Sequence, residues 1–350
     1  MSGKDEKTIS KRSITLFWET MLTPTPENLW QVEDNELKRL IEYGTFAGEL
    51  KQIHFYAPSF MHYKIDSYQS RPSDFPTISI TGTDCSLKCK HCNGRVLRTM
   101  YPAKSSDRLF SICERLKSEG ALGCLISGGC ARDGSVPVSS FIPSIAKVKQ
   151  QLELTVLVHT GIIKLDTAKA MKEAGVDAAL IDIIGSDETI RQVTNLQASV
   201  RNYEDSLKAL RDGGLRCVPH VIVGMHYGKL RGELKALRMI SRFKPESLVI
   251  IAFMPIRGTE MERVKPSRPI DIARVIAIAR RMLPSTPLAL GCMRPQGQHR
   301  AETDILSIKT GVNAIAFPSR EAIAFAQDNG YQITFSPVCC SQIYADVLKI

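Results

Sequence analysis

No apolar run in this chain of 350 residues approaches the roughly 20 consecutive residues needed to cross a bilayer. The opening residues, MSGKDEKTISKRS, lack the apolar centre of a secretory signal. No stretch interleaves Lys and Arg with stacking aromatics as an RNA-binding surface does. The formal charge of +10 is therefore read as a solvated surface, or as a match for an acidic protein or an anionic ligand. No G-x-G-x-x-G follows the first apolar run, which argues against a dinucleotide-binding sheet. These absences lead us to expect a soluble cytoplasmic protein with no membrane and no nucleic-acid partner.

What the sequence has is a regular alternation. Short apolar runs occur at 78–85, 123–130, 154–161, 176–184, 216–224, 247–255, 287–292 and 314–317. Each has strand length, and most are rich in Val, Ile or Leu, as strands buried on both faces are. Amphipathic segments lie between them, among them SDRLFSICERLKSEG, DTAKAMKEAG, YEDSLKALRDGG and IDIARVIAIARRML, and several end in Gly, a helix stop. Eight strand–helix units in order predict an α/β fold of the (β/α)8 TIM type, a closed parallel barrel over residues 76–330. Residues 1–75 are expected to be an N-terminal extension, disordered over 1–13. Residues 331–350 are expected to be a C-terminal tail that contributes cysteines.

The chain has ten cysteines, and without a secretory signal a disulfide scaffold is disfavoured. Three of them lie in TDCSLKCKHCNG, at Cys85, Cys89 and Cys92, spaced C-x3-C-x2-C. A short loop of this kind wraps three thiolates around three corners of an iron–sulfur cube and leaves one iron open, as a catalytic metal site requires. The competing reading is half a zinc site on Cys89 and Cys92, but no second cysteine pair stands at normal spacing.

Chemistry on this fold gathers at the C-terminal ends of the strands. Cys85, Cys130 and Cys292 end the first, second and seventh apolar runs, His159 nearly ends the third, and Asp182 lies late in the fourth. The triplet at the end of the first run resembles the radical S-adenosylmethionine (SAM) superfamily, in which an aromatic residue often precedes the third cysteine. Here that position is His91. The resemblance implies a [4Fe-4S] cluster on Cys85, Cys89 and Cys92, with SAM chelating the open iron and yielding a 5′-deoxyadenosyl radical. Within ISGGC, Ser127, Gly128 and Gly129 resemble the element that meets the SAM methionyl group. Asp182 stands where the family often contacts the ribose, and VIVG, including Val223, where it borders adenine. Arg294 is a candidate for the SAM carboxylate. His159, His220, Arg257, His299 and Arg300 are further polar residues at the mouth. His220 reads as a hydrogen-bonded core residue, and His159 is given no role.

Over most of its length the chain resembles the biotin synthase and lipoyl synthase group, which inserts sulfur drawn from a second iron–sulfur cluster. Cys124 and Cys217 fall one residue out of register with biotin synthase's second-cluster positions, and a one-residue shift turns a strand side chain to the other face. They are read as packing residues. Cys130, Cys292, Cys339 and Cys340 are the candidate second-cluster ligands, with the tail folding over the barrel mouth. The resemblance points most toward one subunit of a two-subunit lipoyl synthase. Its implied partners are a second radical SAM subunit, an octanoylated lipoyl-carrier protein, and a reductant such as ferredoxin or flavodoxin. The alternatives are a biotin synthase-like enzyme, a radical SAM enzyme of rearrangement, methylation or cofactor assembly, and a non-catalytic metal module.

Overall fold

The computed structural model describes residues 24–48, 51–59, 61–65 and 68–347. The expected disorder over 1–13 falls outside them. The eight expected strands occur in order: Thr77–Ser79 (β4), Gly123–Ser127 (β6), Thr155–His159 (β7), Ala178–Asp182 (β8), Cys217–Val223 (β9), Leu248–Ala252 (β10), Leu288–Leu290 (β11) and Ala314–Ala316 (β12). Each pairs in parallel with the next.

The sheet has eleven strands, because two segments from outside the expected barrel join it at one end and one short segment from within it joins at the other. Gln52–Tyr56 (β1), from the expected N-terminal extension, pairs with β12, and Gln332–Ser336 (β13), from the expected tail, pairs with β1. Tyr101–Pro102 (β5) pairs with β4 at the other end. A small antiparallel pair, Lys64–Ile65 (β2) with Tyr68–Gln69 (β3), stands apart. Among the described residues no ladder joins β13 to β4 or β5. The architecture is therefore the expected TIM-type α/β fold, curled rather than closed by strand pairing.

Strand alternation divides the side chains into two layers. Cys124, Ile126, Val156, Val158, Ala179, Ile181, Cys217 and Val221 pack outward with the helices. Leu157, Ala178, Leu180, Val218, Val249, Ala289, Ala314 and Ala316 form the inner layer. Four of these are alanines, too small to fill the centre of a curled sheet. The tail fills it: Cys340 and Ile343 are buried among the inner residues, with Val338, Cys339, Tyr344 and Val347 packed beside them. The tail does not arch over the mouth as expected but runs through the interior. Cys339 lies near His159 at the C-terminal end of β7, while Tyr344 lies under Arg216, just before β9 begins. Between them, Ser341 Oγ lies 3.3 Å from His220 Nε2, and Ser247 Oγ donates to the Ser341 carbonyl at 3.2 Å.

Two of the helices not expected lie within the barrel. Asp187–Val193 follows β8, and Gln298–Lys309 fills the link between β11 and β12. The latter buries Thr303, Asp304 and Ser307 beside Ile308, so its inward face is mostly polar and gives little apolar stripe to read.

Candidate functional site

The strands end earlier than the apolar runs suggest, and the cysteine triplet lies in a loop beyond β4. The loop is tightly wound. Lys88, Asn93 and Gly94 all have positive φ, at 47°, 45° and 68°, and Asn93 N–H donates to the Cys89 carbonyl at 2.7 Å. The neighbours fix it from outside. Ser86 N–H donates to the Cys130 carbonyl, Lys90 N–H to the Val193 carbonyl, and the Asn195 amide to the carbonyls of Leu87 and Lys88. At Gly129 the approach leaves no room for a side chain: a Cβ there would lie 2.0 Å from the Asp84 carbonyl oxygen and 2.6 Å from Cys85 Cα. Gly128 is less constrained, since a Cβ there would meet only Ile80 and Thr81 side-chain atoms at 3.2 Å and beyond. Ser127, the last residue of β6, is buried.

The three thiols interact with one another. The Cys89 thiol beside it brings the Cys92 thiol down to about 4, helped by His91 and the Gly94 N–H against the cost of burial. Cys89 goes the other way: contact with Cys92, burial, and the nearby Cys85 and Cys130 all disfavour its charge. Cys89 Sγ also lies 3.2 Å from the Thr194 carbonyl. His91 Nδ1 is buried with no hydrogen-bond partner. Three cysteines on one loop, Cys89 and Cys92 in contact and Cys85 near Cys89, with an unpartnered imidazole nitrogen beside them, fit the donor set for a [4Fe-4S] cluster.

Cys130 belongs to this end of the molecule. Its carbonyl lies 3.9 Å from Cys85 Sγ, and burial, with Cys85 and Asp182 nearby, pushes its thiol up to about 12. The structure therefore separates it from the other expected second-cluster residues. Cys292, Cys339 and Cys340 do come together in the inner layer. Burial, with Cys339 close by, pushes Cys292 up to about 12. Contact with the Cys340 thiol brings Cys339 down to about 7. Cys124 and Cys217 point away into the helix layer, where Cys124 touches Cys113. That is the orientation their register predicts.

Two expected cofactor contacts are corrected. Arg294 is fully buried, and five hydrogen bonds use its donors: Nε and Nη2 to Asp304, Nη1 to the Gly291 and Ala316 carbonyls, and Nη2 also to the Phe317 carbonyl. A guanidinium has five N–H groups, so none remains for a SAM carboxylate. The Val223 side chain is buried in the helix layer; Val221 and Ile222 instead line the nearby pocket, together with Asp182, Gly185, Met225 and Glu233. Of the other mouth residues, His299 is held by the Ser267 carbonyl and Thr303, and Arg257 is exposed. Arg300 is partly buried, with its Nε unpartnered.

The sequence reading missed one constellation. His159 ends β7, Asp182 ends β8, and His220 sits opposite Asp182 in the β8–β9 register. Asp182 Oδ2 lies 3.5 Å from His159 Nε2, and its Oδ1 lies 3.5 Å from His220 Nδ1. Burial opposes the Asp182 charge, but His159 and then His220 outweigh it and hold the carboxyl well below the usual carboxylate range. Burial also opposes the His159 cation, yet Asp182, with Cys339 behind it, raises its pKa; at His220 burial prevails and lowers it. Strand parity alone would have found this group, since Leu157 and His159, Leu180 and Asp182, and Val218 and His220 are inward-facing pairs two residues apart.

Comparison with known proteins agrees with this geometry. Residues 79–230 match the Radical SAM superfamily. A biotin synthase from Prochlorococcus marinus is 26% identical over 254 residues, covering 69% of this chain and 73% of that protein. A second, from Polaromonas sp., is 24% identical over 296 residues, or 82% of each chain. Among solved structures, methylornithine synthase superposes with a TM-score of 0.61 at 14% identity, covering 95% of this chain and 98% of that one. The [FeFe]-hydrogenase maturase HydG also gives 0.61 at 14% identity, covering 95% and 77%. At such identities the solved structures speak for the fold alone. No helix among the described residues is long and apolar enough to cross a membrane. The cysteine loop lies within residues 79–230, so the match to the Radical SAM superfamily falls on the segment that carries the candidate cluster ligands, and the wider chain has biotin synthase homologues at low identity.

Proposed function

We propose that this enzyme inserts sulfur into an unactivated C–H bond of a protein-bound octanoyl group, as one subunit of a two-subunit lipoyl synthase. The observation that carries the reading is the tail, which runs through the interior and sets Cys339 and Cys340 against Cys292. Three thiols at one inner site fit the donor set of a second iron–sulfur cluster, the sulfur source of such reactions. The biotin synthase relatives support the same reaction class. The charge of +10 suits an acidic lipoyl-carrier domain.

Bound at this end of the sheet, a [4Fe-4S] cluster with SAM supplies the deoxyadenosyl radical that removes hydrogen from carbon. The protein's part is placement. Cys85, Cys89 and Cys92 would hold the cluster, with His91 beside it. Ser127 ends the neighbouring strand, Gly128 and Gly129 follow it, and Gly185, Val221 and Ile222 would border the nucleoside. Cys292, Cys339 and Cys340 lie on the inner side, so a substrate chain entering at the mouth would come between the two cysteine groups.

Iron and sulfide analysis after anaerobic reconstitution tests the proposal. The wild type should hold about eight irons, and a Cys292→Ser/Cys339→Ser/Cys340→Ser variant about four. About four irons in the wild type would remove the second cluster. The assay then adds the partner subunit, an octanoylated carrier and a reducing system. Deoxyadenosine formed without sulfur transfer would assign the enzyme to another radical SAM reaction.

A further inference from the structure

We propose that His159, Asp182 and His220 form a separate binding site for one divalent transition-metal ion, distinct from both cysteine groups. Their ligand atoms all lie within 4.8 Å of one another, on three adjacent strands whose positions the parallel ladder fixes. Each histidine nitrogen stands 3.5 Å from a carboxylate oxygen of Asp182. That is wider than the 2.7–3.2 Å of an ordinary hydrogen bond. Metal–ligand bonds of about 2.1 Å place adjacent donor atoms of a tetrahedral ion about 3.4 Å apart, so the spacing has room for an ion that Asp182 would hold through one of its two oxygens.

The chemistry of the donors points the same way. Two imidazole nitrogens and one carboxylate suit zinc or iron(II) and are a poor set for magnesium or calcium, which prefer oxygen. Two imidazoles facing one carboxylate are both satisfied as neutral ligands once a cation sits between them. Within 4 Å, the described residues offer Asp182 no Lys or Arg. The supporting contacts are also in place. The other nitrogen of His220 lies 3.3 Å from Ser341 Oγ, and Ser247 in turn hydrogen-bonds the Ser341 carbonyl. Metal-bound histidines are typically oriented in this way through their second nitrogen. Three protein ligands leave a fourth position open.

The test uses full-length protein, anaerobically loaded with iron and sulfide, then dialysed and titrated with Zn(II) or Co(II). The expected result is about one zinc per chain beyond the iron clusters, and a cobalt spectrum of nitrogen and oxygen ligation. His159→Ala and His220→Gln should abolish that equivalent while melting cooperatively. Ser341→Ala should weaken zinc binding about 10–100-fold. A Cys85→Ser/Cys89→Ser/Cys92→Ser variant should still bind it, which separates this site from the radical SAM chemistry. Zinc uptake unchanged in the histidine variants would overturn the proposal. So would a thiolate-dominated cobalt spectrum that survives them and is lost in Cys292→Ser/Cys339→Ser.

Discussion

Arg294 and Asp304 form an ion pair, 2.7 Å from Nε to Oδ1, with neither side chain exposed. The pair binds the loop after β11 to the helix Gln298–Lys309, and through the Ala316 and Phe317 carbonyls to the end of β12. Asp304 Oδ2 also accepts from the Ser319 N–H. Removing one partner leaves a buried charge without its counterion, a loss of about 3–5 kcal/mol. Arg294→Met and Asp304→Asn should therefore each lower the urea midpoint by that equivalent. If Arg294 served SAM instead, Arg294→Met would weaken SAM binding in protein of unchanged stability. Titrating SAM into the folded fraction separates the two outcomes.

Gly129 and Gly128 should respond differently to the same change. Gly129→Ala drives a methyl group into the backbone at Asp84 and Cys85, neither of which can move without shifting the cysteine loop. We expect reconstituted iron to fall by about four per chain, the content of one cluster. Gly128→Ala meets only side-chain atoms of Ile80 and Thr81 and should keep its iron. Equal iron in the two variants would show that the loop tolerates the displacement.

The tail should act as part of the core. Ile343 is fully buried among the inner alanines, and Ile343→Ala leaves a cavity worth about 2–4 kcal/mol. Tyr56 Oη also donates to Asp346 at 2.5 Å, pinning the segment to the end of β1. Limited proteolysis should leave residues 338–347 intact in the wild type and cut them in Ile343→Ala. Cleavage of this segment in the native wild type, with no loss of stability, would mean that the interior does not depend on it.

Much of this arrangement was legible in the sequence because it rests on local patterns. The strands announced themselves as apolar runs, and the register of Cys124 and Cys217 correctly turned both toward the helices. The helix Gln298–Lys309 escaped because it buries Thr303, Asp304 and Ser307, whose hydrogen bonds stand in for an apolar stripe. Arg294 was misread because a lone arginine in a polar stretch gives no hint of Asp304, ten residues on, closing around it. β1, β13 and the tail's path depend on contacts across more than 250 residues, such as Tyr56 with Asp346. Only the run of small inner residues, Ala178, Ala289, Ala314 and Ala316, hinted that something else must fill the centre.

Glu233 should give the protein a pH-dependent stability near neutrality. It opens the helix Glu233–Ser241, is 4% exposed, and accepts a hydrogen bond from Gly224 N–H through Oε1, while Oε2 has no partner. Burial pushes its carboxyl from an ordinary 4.5 up to about 7, against the pull of the backbone N–H groups around it. The folded protein thus holds this proton more tightly than the unfolded chain. The resulting stability is fully present below about pH 4.5 and is lost as the pH rises through about 7. The loss is about 3 kcal/mol, at about 1.4 kcal/mol per pKa unit. Glu233→Gln cannot ionise and keeps an acceptor for Gly224, so its urea midpoint should stay level over this range while the wild type's falls. Curves of the same slope for the two proteins between pH 5 and pH 8 would place the proton elsewhere.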